Sequence, residues 1–257
     1  MSVDAIIVTF DSSEALREQL ACRAIRDAFS RIVVVDNASA DDSRDVALAA
    51  GVELIARTTN DGFAAAINAG MRRSDSEFVA VLNPDVVLDD VATVTRLLAH
   101  FAAPDIGLVA PLLVLPNGDY QDSVRAVPGP VELVKRKLTG KAYGVIQPDG
   151  PTDVPWVVAA FVVVRRAAVD AIGGFDAGYF LYFEDVDLCV RLWQRGWRIH
   201  VDPSVTARHG FNGESRSSFF GLASRRHARS AVRFFRKHPC MLRASYRHRV
   251  GLPDTRP

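Results

Sequence analysis

Phe78-Val79-Ala80-Val81-Leu82-Asn83-Pro84-Asp85 reads as a buried strand that stops at a carboxylate. Phe78 to Leu82 is an unbroken apolar run, as a central strand covered on both faces requires. Pro84 has no amide hydrogen and turns Asn83 away from helix, so the strand ends there. Asp85 then stands at the carboxyl end of the sheet, where open α/β sheets bind ligands. Two readings of the corner stay open. Asn83-Pro84-Asp85 is a turn, or the stiff corner presents Asp85 as an oxygen ligand for a hard divalent cation.

The residues before this segment alternate between strand and helix patterns. A first strand covers 3–9 and ends at Thr9-Phe10-Asp11-Ser12-Ser13, whose hydroxyls can cap a helix over roughly 13–29. Ile32-Val33-Val34-Val35 is a β-branched strand ending at Asp36-Asn37, and a helix follows to about Ala50. Val52 to Ala56 is a third strand, and Asn60-Asp61-Gly62-Phe63 turns into a small-residue helix reaching about Arg73. This β-α-β-α-β-α-β order predicts a mostly parallel, helix-covered sheet with right-handed crossovers.

After Asp85 a helix is expected over about 89–102 and a strand over 106–110. Residues 115–155 are rich in proline and glycine and contain Lys135-Arg136-Lys137. They read as an irregular excursion able to cover a cleft. Trp156 to Val164 reads as one buried strand, Gly173-Gly174-Phe175-Asp176 as a turn, and Glu184-Asp185-Val186-Asp187 as the start of a helix that Gly196 ends. Asp187 and Arg191 are spaced as an i,i+4 pair. A last strand covers 197–201, and a basic, Phe-containing helix is expected over about 218–238.

Composition bounds the function. Of 257 residues, 49% are apolar and 24% charged, which is ordinary globular composition. No apolar run approaches the roughly 20 residues needed to span a bilayer. Three well-separated cysteines fit neither a disulfide framework nor a zinc site, and a cytoplasmic location is expected. Residues 216–257 carry eleven Lys and Arg against one acid, Asp254, leaving twenty basic and twenty-nine acidic residues in 1–215. An acidic body with a basic tail disfavours a nucleic-acid binder. The tail either lies on an anionic membrane face or packs its Phe face on the body. Gly-x-Gly-x-x-Gly, P-loop and Gly-x-Ser-x-Gly motifs are absent from the sequence, which counts against dinucleotide, P-loop and α/β-hydrolase chemistry.

Polar clusters gather at strand ends. Asp36 is either a capping or turn residue, or an acceptor for the imide N–H of uracil or thymine. Asn68, a poor helix former, implies a backbone hydrogen bond or a ligand contact. Glu184, Asp185 and Asp187 are either N-terminal helix carboxylates or include a general base. His209 is an ordinary histidine or a ligand.

Together these segments resemble the family 2 glycosyltransferases of the GT-A fold, in their rhamnosyltransferase-like branch. The resemblance rests on Ile7 to Ser12, Val34 to Ser39, Asn60 to Gly70, Leu82 to Asp85, Gly173 to Asp176, Tyr182 to Leu188, and His209 with Ser215. It implies an α/β GT-A domain over 1–215, with a nucleotide-sugar half (1–111), an acceptor and catalytic half (112–215), and a basic helical tail (216–257). Thr9, Phe10 and Asp11 would line the nucleotide pocket, with Asp36 and Asn37 at the base. Asn60, Gly62, Phe63 and Asn68 would border nucleotide and sugar. Asn83 and Asp85 stand at the family's Asp-x-Asp position, so Asp85 and His209 would hold Mg²⁺ or Mn²⁺. Asp185 of the Glu184-Asp185 pair would be the base, and Trp156, Ala159, Ala160 and Asp187 would lie on the acceptor side. Asn83 in place of an acid removes one charge from the metal site. Ala159-Ala160 stands where the family often has Gly-Ala or Gly-Ser, which narrows the acceptor edge.

The function so implied is an inverting, metal-dependent transfer of a sugar from a dTDP- or UDP-sugar, dTDP-L-rhamnose first, to a cell-envelope glycan or polyprenyl-diphosphate-linked acceptor. The matching location is the cytoplasm, with peripheral contact on the inner face of the cell membrane through the basic tail as one of the two readings of that tail. A sugar-nucleotide nucleotidyltransferase is the first alternative, although the sequence lacks its Gly-rich basic loop. A non-catalytic nucleotide-sugar or glycan-binding protein is the second, against which Asp85 and Glu184-Asp185 count.

Overall fold

A computed structural model describes residues 2–139, 144–210 and 222–243. Ser215, Phe219, Phe220 and the tail beyond Arg243 lie outside the described residues.

The first half alternates as the hydrophobic pattern requires. It runs β1 (Val3–Thr9), α1 (Ser13–Ala21), α2 (Arg23–Ala28), β2 (Arg31–Asp36), α3 (Ser43–Ala49), β3 (Glu53–Ala56), α4 (Phe63–Met71) and β4 (Phe78–Leu82). β3, β2, β1 and β4 pair in that order, all parallel. The single helix expected over 13–29 is instead two, because Cys22 takes an extended conformation between them.

The second half contains β5 (Val86–Val87), α5 (Ala92–Ala99), β6 (Ile106–Val114), β7 (Val124–Arg125), α6 (Pro130–Thr139), β8 (Thr152–Asp153) and β9 (Trp156–Val157). It closes with β10 (Phe161–Arg165), α7 (Arg166–Asp170), α8 (Glu184–Gln194), β11 (Arg198–His209) and α9 (Leu222–Lys237). Among the described residues the main sheet runs β3-β2-β1-β4-β10-β6-β11-β5, with β8 on β11, and β7 pairs with β9 apart from it.

Three further expectations change. The apolar run at 156–164 is two strands, and β10 enters the sheet antiparallel between β4 and β6. Residues 115–155 hold β7, α6 and β8 rather than only an irregular excursion. The last strand continues to His209, because the pairing slips between Asp202 and Thr206. Pro203 falls in that slip, where its missing N–H leaves no ladder bond unmade.

Alternate residues of the strands feed two apolar layers. Ile6, Val8, Val79 and Val81 face the layer that holds α4 and α8, while Ala5, Ile7, Ala80 and Leu82 face α1 and α5. α9 closes the first layer. Phe234 is fully buried, Phe235 packs partly against the core, and the Ser230 hydroxyl donates to the Leu181 carbonyl at 2.9 Å. The described part of the basic tail therefore packs its aromatic face on the body.

Phe234→Ala is expected to cost about 3 kcal/mol or more, since it opens a cavity under α9. Urea unfolding checks this. A loss below about 1 kcal/mol would mean that α9 does not belong to the cooperative fold.

Candidate active site

The pairing of β4 with β10 places Leu82 opposite Phe161, so the residues just past β4 meet those just before β10. The Asn83 amide donates to the Ala160 carbonyl at 2.8 Å. The corner that follows is fixed on its other side by β11, where the Gly210 amide donates to the Asp85 carbonyl at 2.9 Å. These contacts bring Asp85 and His209 together, with Asp85 Oδ1 3.2 Å from His209 Nε2. Asn83 Nδ2 lies 3.4 Å from the same nitrogen, and Gln121 Oε1 lies 2.7 Å from His209 Nδ1. Gln121 carries no signal in the sequence, since it sits in the stretch that periodicity reads as irregular.

These residues suit a hard divalent cation. With Gln121 accepting the Nδ1 proton, His209 turns the Nε2 lone pair toward a carboxylate oxygen. Such a second partner on the far ring nitrogen is usual for metal-binding imidazoles. Two acceptors 3.2 Å apart also call for a proton or a cation between them. Among the described residues no group of three His, Cys, Asp or Glu side chains gathers, so further ligands would come from solvent or a bound phosphate.

α8 presents a pair of acids, Glu184 and Asp185. Tyr182 and Phe183 both adopt left-handed backbone, φ 69° and 68°, immediately before Glu184. Such conformations cost about 1–3 kcal/mol each and persist where packing enforces them. Phe183 is buried, its ring 5.3 Å from Phe234 of α9. Asp185 is half-buried. Its carboxylate accepts from the Val186 amide at 2.8 Å and from the Ala159 amide, with the Arg125 guanidinium nearby. Burial outweighs these contacts and raises the Asp185 carboxyl above the usual range. Glu184 is buried too, and Oε2 has no hydrogen-bond partner among the described residues. Burial, then the Asp185 charge, raises its carboxyl as well. Arg125, which sequence reasoning missed, lies on β7 over the Trp156 ring at 5.8 Å. The Trp156 indole N–H is engaged by the Ala126 carbonyl at 2.8 Å.

The residues expected to contact a nucleotide lie at the ends of β1 and β2 and before α4. Phe10 is exposed past β1, Thr9 is buried against Ser43, and Asp11 (φ 49°) accepts from the Ala40 amide at 2.7 Å. Asp36 is buried and accepts from the Ser39 amide and from Arg44 Nε at 2.6 Å, so it closes a turn and has a charged partner, while Asp42 precedes α3. Asn37 Nδ2 donates to Asn60 Oδ1 at 2.7 Å, while Asn37 Oδ1 is buried without a partner among the described residues. Gly62 (φ 93°) sits against the Phe180 backbone, where a Cβ would lie 2.3 Å from the carbonyl oxygen; the Phe63 amide donates to that same oxygen.

Two expected contact residues face inward. Asn68 clamps the turn at Phe175, donating to its carbonyl at 2.7 Å and accepting from its amide at 3.0 Å. Its need for a partner is met by backbone. Asp187, expected on the acceptor side, is fully buried and bound by Arg191 (2.6 Å), His238 (2.8 Å), Lys237 (2.9 Å) and the Tyr179 hydroxyl (3.3 Å). Burial works against its charge, yet the His238, Arg191 and Lys237 contacts hold its carboxyl below the usual range. It fastens α9 to α8 instead of facing a substrate.

This architecture, a mostly parallel sheet flanked by helices with an acid just past β4 and an acid pair at the start of α8, is that of a GT-A glycosyltransferase fold. A mannosyltransferase from Pyrobaculum calidifontis, solved with GDP-Man and Mn²⁺, shares it at TM-score 0.64 and 19% identity, covering 92% of this chain and 64% of that one. GalNAc-T7, solved with UDP, GalNAc and Mn²⁺, shares it at TM-score 0.66 and 15% identity, covering 94% of this chain and 51% of that one. The chain belongs to glycosyl transferase family 2, whose sequence model matches residues 4–173. It is 32% identical over 170 residues to the rhamnosyltransferase WbbL of Escherichia coli K12, covering 63% of each chain. It is 28% identical over 208 residues to the N-acetylglucosaminyl-diphospho-decaprenol L-rhamnosyltransferase of Mycobacterium tuberculosis, covering 69% of this chain and 66% of that protein.

Glu184 generates a pH prediction. Its carboxyl is raised in the fold, so between the unfolded and folded values the folded protein holds a proton that the unfolded chain has released. Its contribution to stability therefore falls as pH rises from the ordinary carboxylate range, near 4.3, toward the raised value. Glu184→Gln is expected to remove that decline and to be more stable than the parent above neutral pH, by about 1 kcal/mol or more. Urea unfolding at pH 6 and pH 8 reads the difference; parallel losses in both proteins would contradict it.

Proposed function

We propose that this protein moves a sugar from a nucleotide-diphospho-sugar to an acceptor hydroxyl with inversion, Asp185 acting as the base. One observation carries the reading. Ala159 and Ala160 are consecutive, and one holds Asp185 while the other holds Asn83 at the Asp85 corner. The carboxylate that can accept a proton and the corner that carries the acid suited to a diphosphate-bound cation are thus held by adjacent residues of the backbone. Inverting transfer needs these two functions and no covalent nucleophile.

Asp185 is suited to its role. Its raised carboxyl binds a proton more tightly than a solvated aspartate, while the Ala159 and Val186 amides fix its direction. Asp85 and His209 would hold Mg²⁺ or Mn²⁺, which would neutralise charge on the departing diphosphate. The Asp36, Asn37 and Asn60 group would receive the base, with the buried Asn37 oxygen as an acceptor for its N–H.

dTDP-L-rhamnose is the proposed donor, supported by the two rhamnosyltransferase relatives. The proposed acceptor is a cell-envelope glycan or a sugar on a polyprenyl diphosphate, as the name of the mycobacterial relative suggests. Such an acceptor would place the protein on the inner membrane face.

Asp185→Asn is expected to lower kcat at least 100-fold while leaving donor binding intact. Unaltered turnover would remove Asp185 as base. In the parent, kcat/KM is expected to fall at acid pH with a limb above the ordinary aspartate range, because the base must lose its proton from a raised carboxyl. A dTDP-sugar at 100 times its Kd with Mn²⁺ should stabilise the parent by about 2.7 kcal/mol, readable as a melting shift. Asp85→Ala should lose the metal-dependent part. A shift that ignores both metal and Asp85 would contradict the assignment.

A further inference from the structure

α6 lies between two strands of the acceptor side. The chain leaves at Arg125 and returns beside it, with the Ala126 amide donating to the Gly144 carbonyl at 2.7 Å and the Ile146 amide to the Val124 carbonyl at 2.9 Å. One side of the helix is anchored, since Leu133 packs partly against the core. The opposite side carries Val131, Val134 and Leu138, spaced i, i+3 and i+7 on one face. They are 59%, 59% and 74% exposed. Lys135 and Arg136 are exposed alongside them, and the one acid of the helix, Glu132, is half-buried. An apolar stripe flanked by cations, on a body that is otherwise acidic, complements an anionic lipid surface.

We propose that α6 docks the protein on an anionic bilayer, with Val131, Val134 and Leu138 at the acyl boundary and Lys135 and Arg136 among the headgroup phosphates. α9 offers less for this purpose. Its exposed face carries Arg225, Arg229 and Arg236 but only Val232 as a large apolar side chain, and Phe234 is buried. Arg136 is close enough to Arg125 for its charge to work against that guanidinium, and Arg125 in turn neighbours Asp185. The benefit to a lipid-linked acceptor rests on the proposed function; the docking itself does not.

Vesicle co-sedimentation of the full chain tests this, using phosphatidylcholine alone and phosphatidylcholine with 30% phosphatidylglycerol. The parent is expected to bind only the anionic vesicles. The double variant Val134→Asp/Leu138→Asp should bind about ten-fold more weakly or worse, and Arg225→Glu/Arg229→Glu should lose less. Leu138→Trp should show blue-shifted emission on the anionic vesicles. The melting temperature and the donor-induced melting shift of the Asp double variant should match the parent. A missing donor shift in parent and variant alike would count against the proposed function and leave the docking result standing. Three results would overturn the proposal: no binding of the parent to anionic vesicles, loss confined to the α9 variant, or light scattering showing that the Asp double variant turns a dimer into a monomer.

Discussion

The antiparallel entry of β10 against β4 is the constraint on which the candidate site depends. A parallel strand there would run its residues 159–160 past the opposite edge of the sheet. Because Phe161 faces Leu82, the end of one strand and the beginning of the other share an edge, and a single hydrogen bond from Asn83 to Ala160 closes the gap. Every other placement follows from that edge. β11 reaches it with His209, β7 and β9 flank it with Arg125 and Trp156, and α8 starts at it with Glu184 and Asp185. Ala159 and Ala160 are both buried, and their small side chains leave room for those backbone contacts.

α8 treats its acids in opposite ways. Asp187, two residues beyond Asp185, is surrounded by Arg191, Lys237, His238 and Tyr179, and its charge is fully partnered. Glu184 and Asp185 lie near each other with Arg125 as the neighbouring cation and with one Glu184 oxygen unpartnered. Partnering lowers one carboxyl and burial raises the other two. The favourable network at Asp187, together with Phe234 under the left-handed Phe183, offsets the cost of holding the strained and desolvated turn at 182–185. The C-terminal helix is thus a brace for the segment that carries Glu184 and Asp185.

The parallel half was legible because its signals are local. Apolar runs such as Phe78 to Leu82 give strands, and Pro84 gives the stop. The sequence also named Asp85, His209 and Asp185, and the fold brings the first two within 3.2 Å. Strand direction was not legible at β10, since Trp156 to Val164 is equally apolar in either orientation and its pairing is set by residues far away in the chain. Gln121 and Arg125 escaped notice for a related reason: each sits among prolines and glycines, and each gains meaning only from a partner far along the chain, His209 and Asp185 respectively. Asn68 and Asp187 show the converse. Their residue types announced a need for partners, and the fold supplied them internally rather than from a substrate.

The central claim is that Asp85 with His209 and Asp185 face one cleft from opposite sides of the reacting sugar. A crystal structure with Mn²⁺ and a non-hydrolysable dTDP-sugar tests it most directly. The account predicts an anomalous manganese peak within about 2.0–2.3 Å of Asp85 and His209, with the anomeric carbon directed toward Asp185. Manganese bound elsewhere, or a sugar turned away from Asp185, would contradict it.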